Sequence, residues 1–153
     1  MTRGEQCRKN GFQCCALSIV RFVLGFIFFM HGAQKVMGWF GGSGLEATVG
    51  MMTKNGMPAV LAYFVSFGEL LGGIALMIGF LSRIAAAGIV IIMVGAIFTV
   101  HGQHGFFFQN QGYEYNLALL AMGLAILVGG SGCLAIDRLF CRKTGKSELV
   151  EAR

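Results

Sequence analysis

The chain has 153 residues, 56% of them hydrophobic and 12% charged, with 24 glycines and one proline. So few charges cannot coat a soluble domain of this length, which places the chain among integral membrane proteins. The formal net charge of +5 comes from lysines and arginines in tails and turns rather than from one basic face, which excludes a nucleic-acid-binding module.

Four apolar stretches follow one another, at 12–37, 57–81, 84–100 and 115–136, each near the ~20 residues that a spanning helix needs. With no internal repeat and no second composition regime, they predict one all-α domain over 1–153, an integral membrane four-helix bundle.

The first stretch contains "RFVLGFIFFMHGAQK", which sets Arg21, His31 and Lys35 among phenylalanines, leucines and valines. At ~100° per residue, Lys35 falls about 40° and His31 about 80° from Arg21. One stripe therefore carries Arg21, Gly25, Phe28, His31, Gly32 and Lys35. A charge facing lipid is expensive, so the stripe faces the interior and its glycines permit close helix approach. The opposite face, with Val23, Ile27 and Met30, suits lipid. A signal peptide is disfavoured, because Arg21 interrupts the apolar run and no small-residue cleavage site follows it.

The segment "GWFGGSGLEATVGMMTKNG" reads as a loop. The second helix contains "SFGELLGG", with Glu69 in an otherwise uncharged run. Running antiparallel to the first helix, it brings Glu69 to about the depth of Arg21 and predicts a buried Arg21–Glu69 ion pair. Such a pair serves equally well to fix register or to relay protons.

After the short turn "GFLSR", the third helix ends at His101, and the loop "HGQHGFFFQNQGYE" leads into the fourth. His31, His101 and Glu114 are the candidate proton-exchanging groups, because imidazole and carboxylate together pass protons near neutral pH. Gly32, Lys35 and Tyr113 are expected to line a pocket with them, beside the apolar Phe106, Phe107 and Phe108. For each histidine taken alone, an interfacial side chain meeting water or headgroups is the plainer reading. No pair has metal-ligand spacing on one helix face, so no metal site is expected.

Arg3, Arg8, Lys9, Arg83, Arg138, Arg142, Lys143, Lys146 and Arg153 fall on one side of this topology, and only Lys35 and Lys54 on the other. The asymmetry predicts a multi-pass protein of the cytoplasmic membrane with both termini in the cytoplasm. Cys7, Cys14, Cys15, Cys133 and Cys141 then lie near cytoplasmic ends, where thiols stay reduced. They are read as small apolar fillers rather than a disulfide framework, although Cys14, Cys15 and Cys133 approach one another if the first and last helices are neighbours.

"RFVLGFIFFMHGAQK", the proline-started helix with "GELLGG", the "GFLSR" turn, the "HG" closing the third helix, the glutamate opening the fourth and the terminal "GGSGCLAIDRLF" together resemble the DoxX family of small bacterial four-helix membrane proteins. The resemblance runs from about Arg21 to Phe140. The family's last motif usually reads glycine, proline, glycine and then serine, leucine, aspartate; Ser131 and Ala135 depart from it, while Gly132 and Asp137 fit. It implies a quinone-linked oxidoreductase subunit or an accessory of a membrane redox complex, with redox-complex subunits, the lipid bilayer and a second copy of the chain as partners. No GxGxxG, CxxCH or iron–sulfur cysteine run is present, so no cofactor is evident in the chain, and the electron carrier implied is either a diffusible quinone or a group held by a partner. A non-catalytic scaffold or small-solute conduit is the alternative.

Overall fold

A computed structural model describes the backbone of residues 3–137 and the side chains of residues 11–137. The basic residues Arg138, Arg142, Lys143, Lys146 and Arg153, together with Cys141 and the side chains of Arg3, Cys7, Arg8 and Lys9, lie outside the described residues.

Helix α1 runs over Arg3–Met37, beginning well before residue 12, and stops where Gly38 turns left-handed at φ 70°. The expected loop after it contains a helix, α2 (Leu45–Lys54). Leu45, Glu46, Ala47, Met51 and Met52 favour helix, and Glu46 in the first turn and Lys54 in the last suit the helix dipole. Pro58 precedes α3 (Ala59–Ile78), which ends at Gly79 with φ 74°. Helix α4 spans Ser82–Ala96 and widens into a π-turn over Ile97–His101. Helix α5 covers Glu114–Gly129. The stretch expected to be helical to residue 136 thus ends seven residues early. Gly130 at φ 87° and Gly132 at φ 76° adopt backbone conformations that L side chains rarely enter, so the chain leaves the helix there.

Helix α1 packs on α3, α3 on α4, α4 on α5 and α5 back on α1, with α2 against α1 and α3. Leu24, Phe28, Leu76, Ile89, Met93, Leu119 and Ile126 fill the centre. Large apolar side chains such as Phe64, Ile91, Phe98 and Val128 point outward. Gly11–Met37, Ala59–Ile78 and Ser82–His104 are long and apolar enough to cross a membrane; α5, with 16 residues, is shorter. The molecule is an all-α helical membrane protein.

In lipid the apolar effect does not drive helices together, so close backbone packing must. Helices α1 and α3 share the most extensive interface, and glycine makes it. A Cβ on Gly25 would meet Met77 N at 2.8 Å and Gly73 O at 2.9 Å, and one on Gly32 would run into the Leu70 backbone. These approaches fix the register: Gly25 lies opposite Gly73, and Gly32 opposite Leu70.

Candidate functional site

That register separates the two polar ends of the bundle. At the end holding both described chain termini, Arg21 is 2% exposed. Its guanidinium donates to the Leu76 and Met77 carbonyls at the C-terminus of α3, and to the Ser131 and Leu134 carbonyls of the segment after α5. The first two carbonyls belong to the last turn of α3, where backbone acceptors lack helical partners and the dipole is negative, so a cation suits the place. Ser18, one helical turn from Cys14, donates to the Cys14 carbonyl at 3.0 Å and accepts from Cys133 N at 2.9 Å and Leu134 N at 3.2 Å. With Cys133 N also bonding the Cys14 carbonyl at 3.2 Å, the 130–137 segment is docked on the first helix. A Cβ on Gly132 would strike Ser18 Oγ.

This docking places Cys133 over Cys14, and the two form a disulfide with Cα atoms 5.0 Å apart. The reading of these cysteines as apolar fillers is thereby corrected for this pair. The reason is backbone capture by the Cys14–Ser18 turn, which no cysteine spacing in the sequence announces. Cys15 is exposed and makes no disulfide among the described residues.

The same segment ends on Asp137, whose carboxylate accepts from Leu81 N at 2.7 Å and Ser82 N at 3.0 Å, while Asp137 N bonds the Gly79 carbonyl. A residue far along the chain therefore caps α4, holding the left-handed Leu81 (φ 48°) in place. Between these parts opens a groove of about 880 Å³, lined among others by Cys14, Leu17, Phe80, Ser82, Arg83, Ile84 and Asp137. Ser82 is fully buried, and its hydroxyl has no hydrogen-bond partner among the described residues.

The opposite end holds the residues that the sequence assigns to a pocket. Lys35 Nζ donates to Glu69 Oε1 at 2.5 Å, and Glu69, 4% exposed, leaves Oε2 without a partner among the described residues. The expected Arg21–Glu69 pair does not form. A Cβ on Gly79 would contact Arg21 Nη1, so Arg21 lies level with Gly79, ten residues from Glu69, or ~15 Å along α3. Matched helix centres would bring them together; the glycine contacts shift the register and bring Lys35 to Glu69 instead.

His31 is exposed and meets the Tyr115 ring at 6.4 Å. His101 Nδ1 lies 2.7 Å from the Gln111 carbonyl, Glu114 Oε2 accepts from Phe108 N at 3.1 Å, and Tyr113 packs edge-on against Phe106 at 5.5 Å. A groove of about 560 Å³ is lined by Phe108, Gln109, Glu114, Tyr115 and Ala118. His31 reaches its wall through Tyr115, whereas His101 and Tyr113 are engaged within the 97–113 connection. Gly32 faces the α3 backbone, and so lines neither of the two grooves. The expected convergence of His31, His101 and Glu114 is thus reduced to His31 and Glu114 flanking one tyrosine. Of the interior stripe, Arg21, Gly25, Phe28 and Gly32 are buried, Lys35 is half-buried and His31 is not.

The parts that build the other end carry little signal in the sequence. Ser18 and Ser82 gave no signal, Asp137 appeared only through the terminal motif, and the partners of Arg21 are carbonyls, which every residue carries.

The DoxX family model matches residues 16–102. The chain is 33% identical over 119 residues to a Bacillus subtilis (strain 168) protein named "Putative oxidoreductase CatD", covering 78% of this chain and 82% of that one. It is 28% identical over 139 residues to a Haemophilus influenzae (strain ATCC 51907 / DSM 11121 / KW20 / Rd) protein named "Uncharacterized protein", covering 88% and 90%. No solved structure matches.

Proposed function

The chain belongs to the DoxX family, and on that premise we propose that it is a quinone-linked redox subunit of the cytoplasmic membrane, crossing it four times with both termini in the cytoplasm. The observation that carries this reading is the groove at the terminal end. Phe80, Leu81 and Ile84, all exposed, give it an apolar rim, while Ser82, Arg83 and Asp137 give it polar walls. A quinone has the matching shape, a flat head with two carbonyl acceptors on an apolar tail. The hydroxyl of Ser82, lacking a partner among the described residues, and the donor-only guanidinium of Arg83 suit those carbonyls. The oxidoreductase name of the Bacillus subtilis relative supports the same class of chemistry. The orientation rests on the basic residues, nine against two.

Calorimetric titration of the full chain in lipid nanodiscs with decylubiquinone tests the reading. Saturable binding beyond that of protein-free nanodiscs, weakened by Ile84→Gln, is the expected result; uptake equal to the empty discs would refute it. For orientation, a periplasmic reporter fused after Arg153 is expected to be inactive and one inserted near Thr48 active, the reverse pattern being fatal. The scaffold alternative draws on Arg21 and Asp137, whose contacts all serve the fold. It gains if quinone fails to bind while loss of the protein dismantles a membrane complex.

A further inference from the structure

The groove has a redox-capable group on its wall. Cys14 lines it, and both Cys14 and Cys133 are half-buried rather than sealed. The orientation read from the basic residues puts this end toward the cytoplasm, where glutathione and thioredoxin-type systems keep thiols reduced, and where a disulfide that does form is usually transient and catalytic. A structural staple gains little in that compartment. The bond is also not the sole tie between the two residues: Cys133 N on the Cys14 carbonyl, Ser18 Oγ under Cys133 N and Leu134 N, and Arg21 on the Ser131 and Leu134 carbonyls hold them together as well. The two sulfurs therefore stay juxtaposed when the bond opens, and closing it again costs little ordering.

From this we infer that Cys14 and Cys133 are a cycling dithiol–disulfide pair whose electrons pass to a quinone held in the adjoining groove by Ser82 and Arg83. The inference rests on the quinone-linked reading above and names the electron donor of that site. In the oxidising step the S–H bonds of Cys14 and Cys133 break and one Sγ–Sγ bond forms. The pair gives up two electrons and two protons, and quinone leaves as quinol. The thiols return by exchange with a cytoplasmic dithiol, which attacks the bond through a mixed disulfide and ends as a disulfide itself. Ser82 supplies the orphaned hydroxyl that a quinone carbonyl would satisfy. Cys15, next in the chain and turned by ~100° on the helix, remains outside the pair.

The test uses full-length Cys15→Ser protein in nanodiscs, reduced with dithiothreitol, desalted under argon and mixed with decylubiquinone, whose ring is fully substituted and so cannot arylate thiols. N-ethylmaleimide labelling read by peptide-resolved mass spectrometry follows Cys14 and Cys133, while ultraviolet absorbance follows the quinol. Expected are loss of label at both positions and one quinol formed per pair. Cys133→Ser abolishes quinol formation, and Ser82→Ala raises the quinone concentration for half-maximal oxidation about fivefold, the worth of one hydrogen bond. If quinone binds calorimetrically yet both thiols stay labelled, the inference is overturned and the quinone-linked reading stands. If quinone does not bind, both fall. A bond that dithiothreitol cannot open in the folded protein also overturns the inference, since the pair would then be a staple; this outcome needs no variant that might misfold.

Discussion

The two ends of the bundle solve the problem of polar groups near lipid differently. At the terminal end, apart from the Ser18–Cys14 bond within α1, the hydrogen bonds of Arg21, Ser18 and Asp137 join residues 55 to 116 positions apart. At the opposite end, the contacts of His101, His104 and Glu114 join residues 4 to 10 apart, so the 97–113 connection largely satisfies itself. The Lys35–Glu69 pair, 34 apart, and the His31–Tyr115 ring contact between α1 and α5 are exceptions. The first end is a clasp over several helices and the second a self-contained lid with one ion pair beneath it. Damage to the clasp should therefore spread through the bundle, and damage to the lid should stay local.

Arg21→Leu gives the sharpest contrast. It leaves carbonyls on α3 and on the 130–137 segment without a donor, and a cost of roughly 3 kcal/mol or more is expected from hydrogen bonds to a charged group. The midpoint of SDS-induced unfolding should fall steeply, and a midpoint like that of the parent protein would break the comparison. Lys35→Met comes next, at roughly 2–3 kcal/mol, because it strands a buried carboxylate; adding Glu69→Met should restore much of the loss. Additive damage in that pair would show that the two side chains do not act together. Asp137→Ala removes the cap on α4 and should cost about 1 kcal/mol, with hydrogen exchange rising first at Leu81 and Ser82. Smallest is His31→Leu, an exposed residue on the lid side, expected to move the midpoint by less than about 0.5 kcal/mol; a loss as large as that of Arg21→Leu would erase the distinction between the ends.

Much of this was legible beforehand. Hydropathy located α3, α4 and the end of α1 within a few residues, and the placement of Arg21, Gly25 and Gly32 on one interior stripe follows from helical geometry alone. Register did not follow, because apolar length says where a helix can cross and nothing about how far it slides against a neighbour. That is decided by which backbones touch, here Gly25 with Gly73 and Gly32 with Leu70, and the slide exchanged the partner of Glu69 from Arg21 to Lys35. Helix α2 was hidden because its glycine-rich flanks read as loop. The clasp was hidden for another reason: Arg21 binds carbonyls, and Ser18 binds backbone amides. Such groups leave no trace in residue identity, so the Cys14–Cys133 contact that depends on them could not be read from spacing.

The clasp also sets a timetable for making the protein. Arg21 reaches its membrane depth early in synthesis, yet two of its acceptors, on Ser131 and Leu134, are 110 and 113 residues downstream. At ~5–20 residues per second, that interval is on the order of ten seconds. Throughout it, a guanidinium sits in the first helix with part of its coordination missing. The nascent chain must be sheltered for that long by water, lipid headgroups or the insertion machinery, and a ribosome that stalls before residue 134 releases a chain whose first helix was never locked.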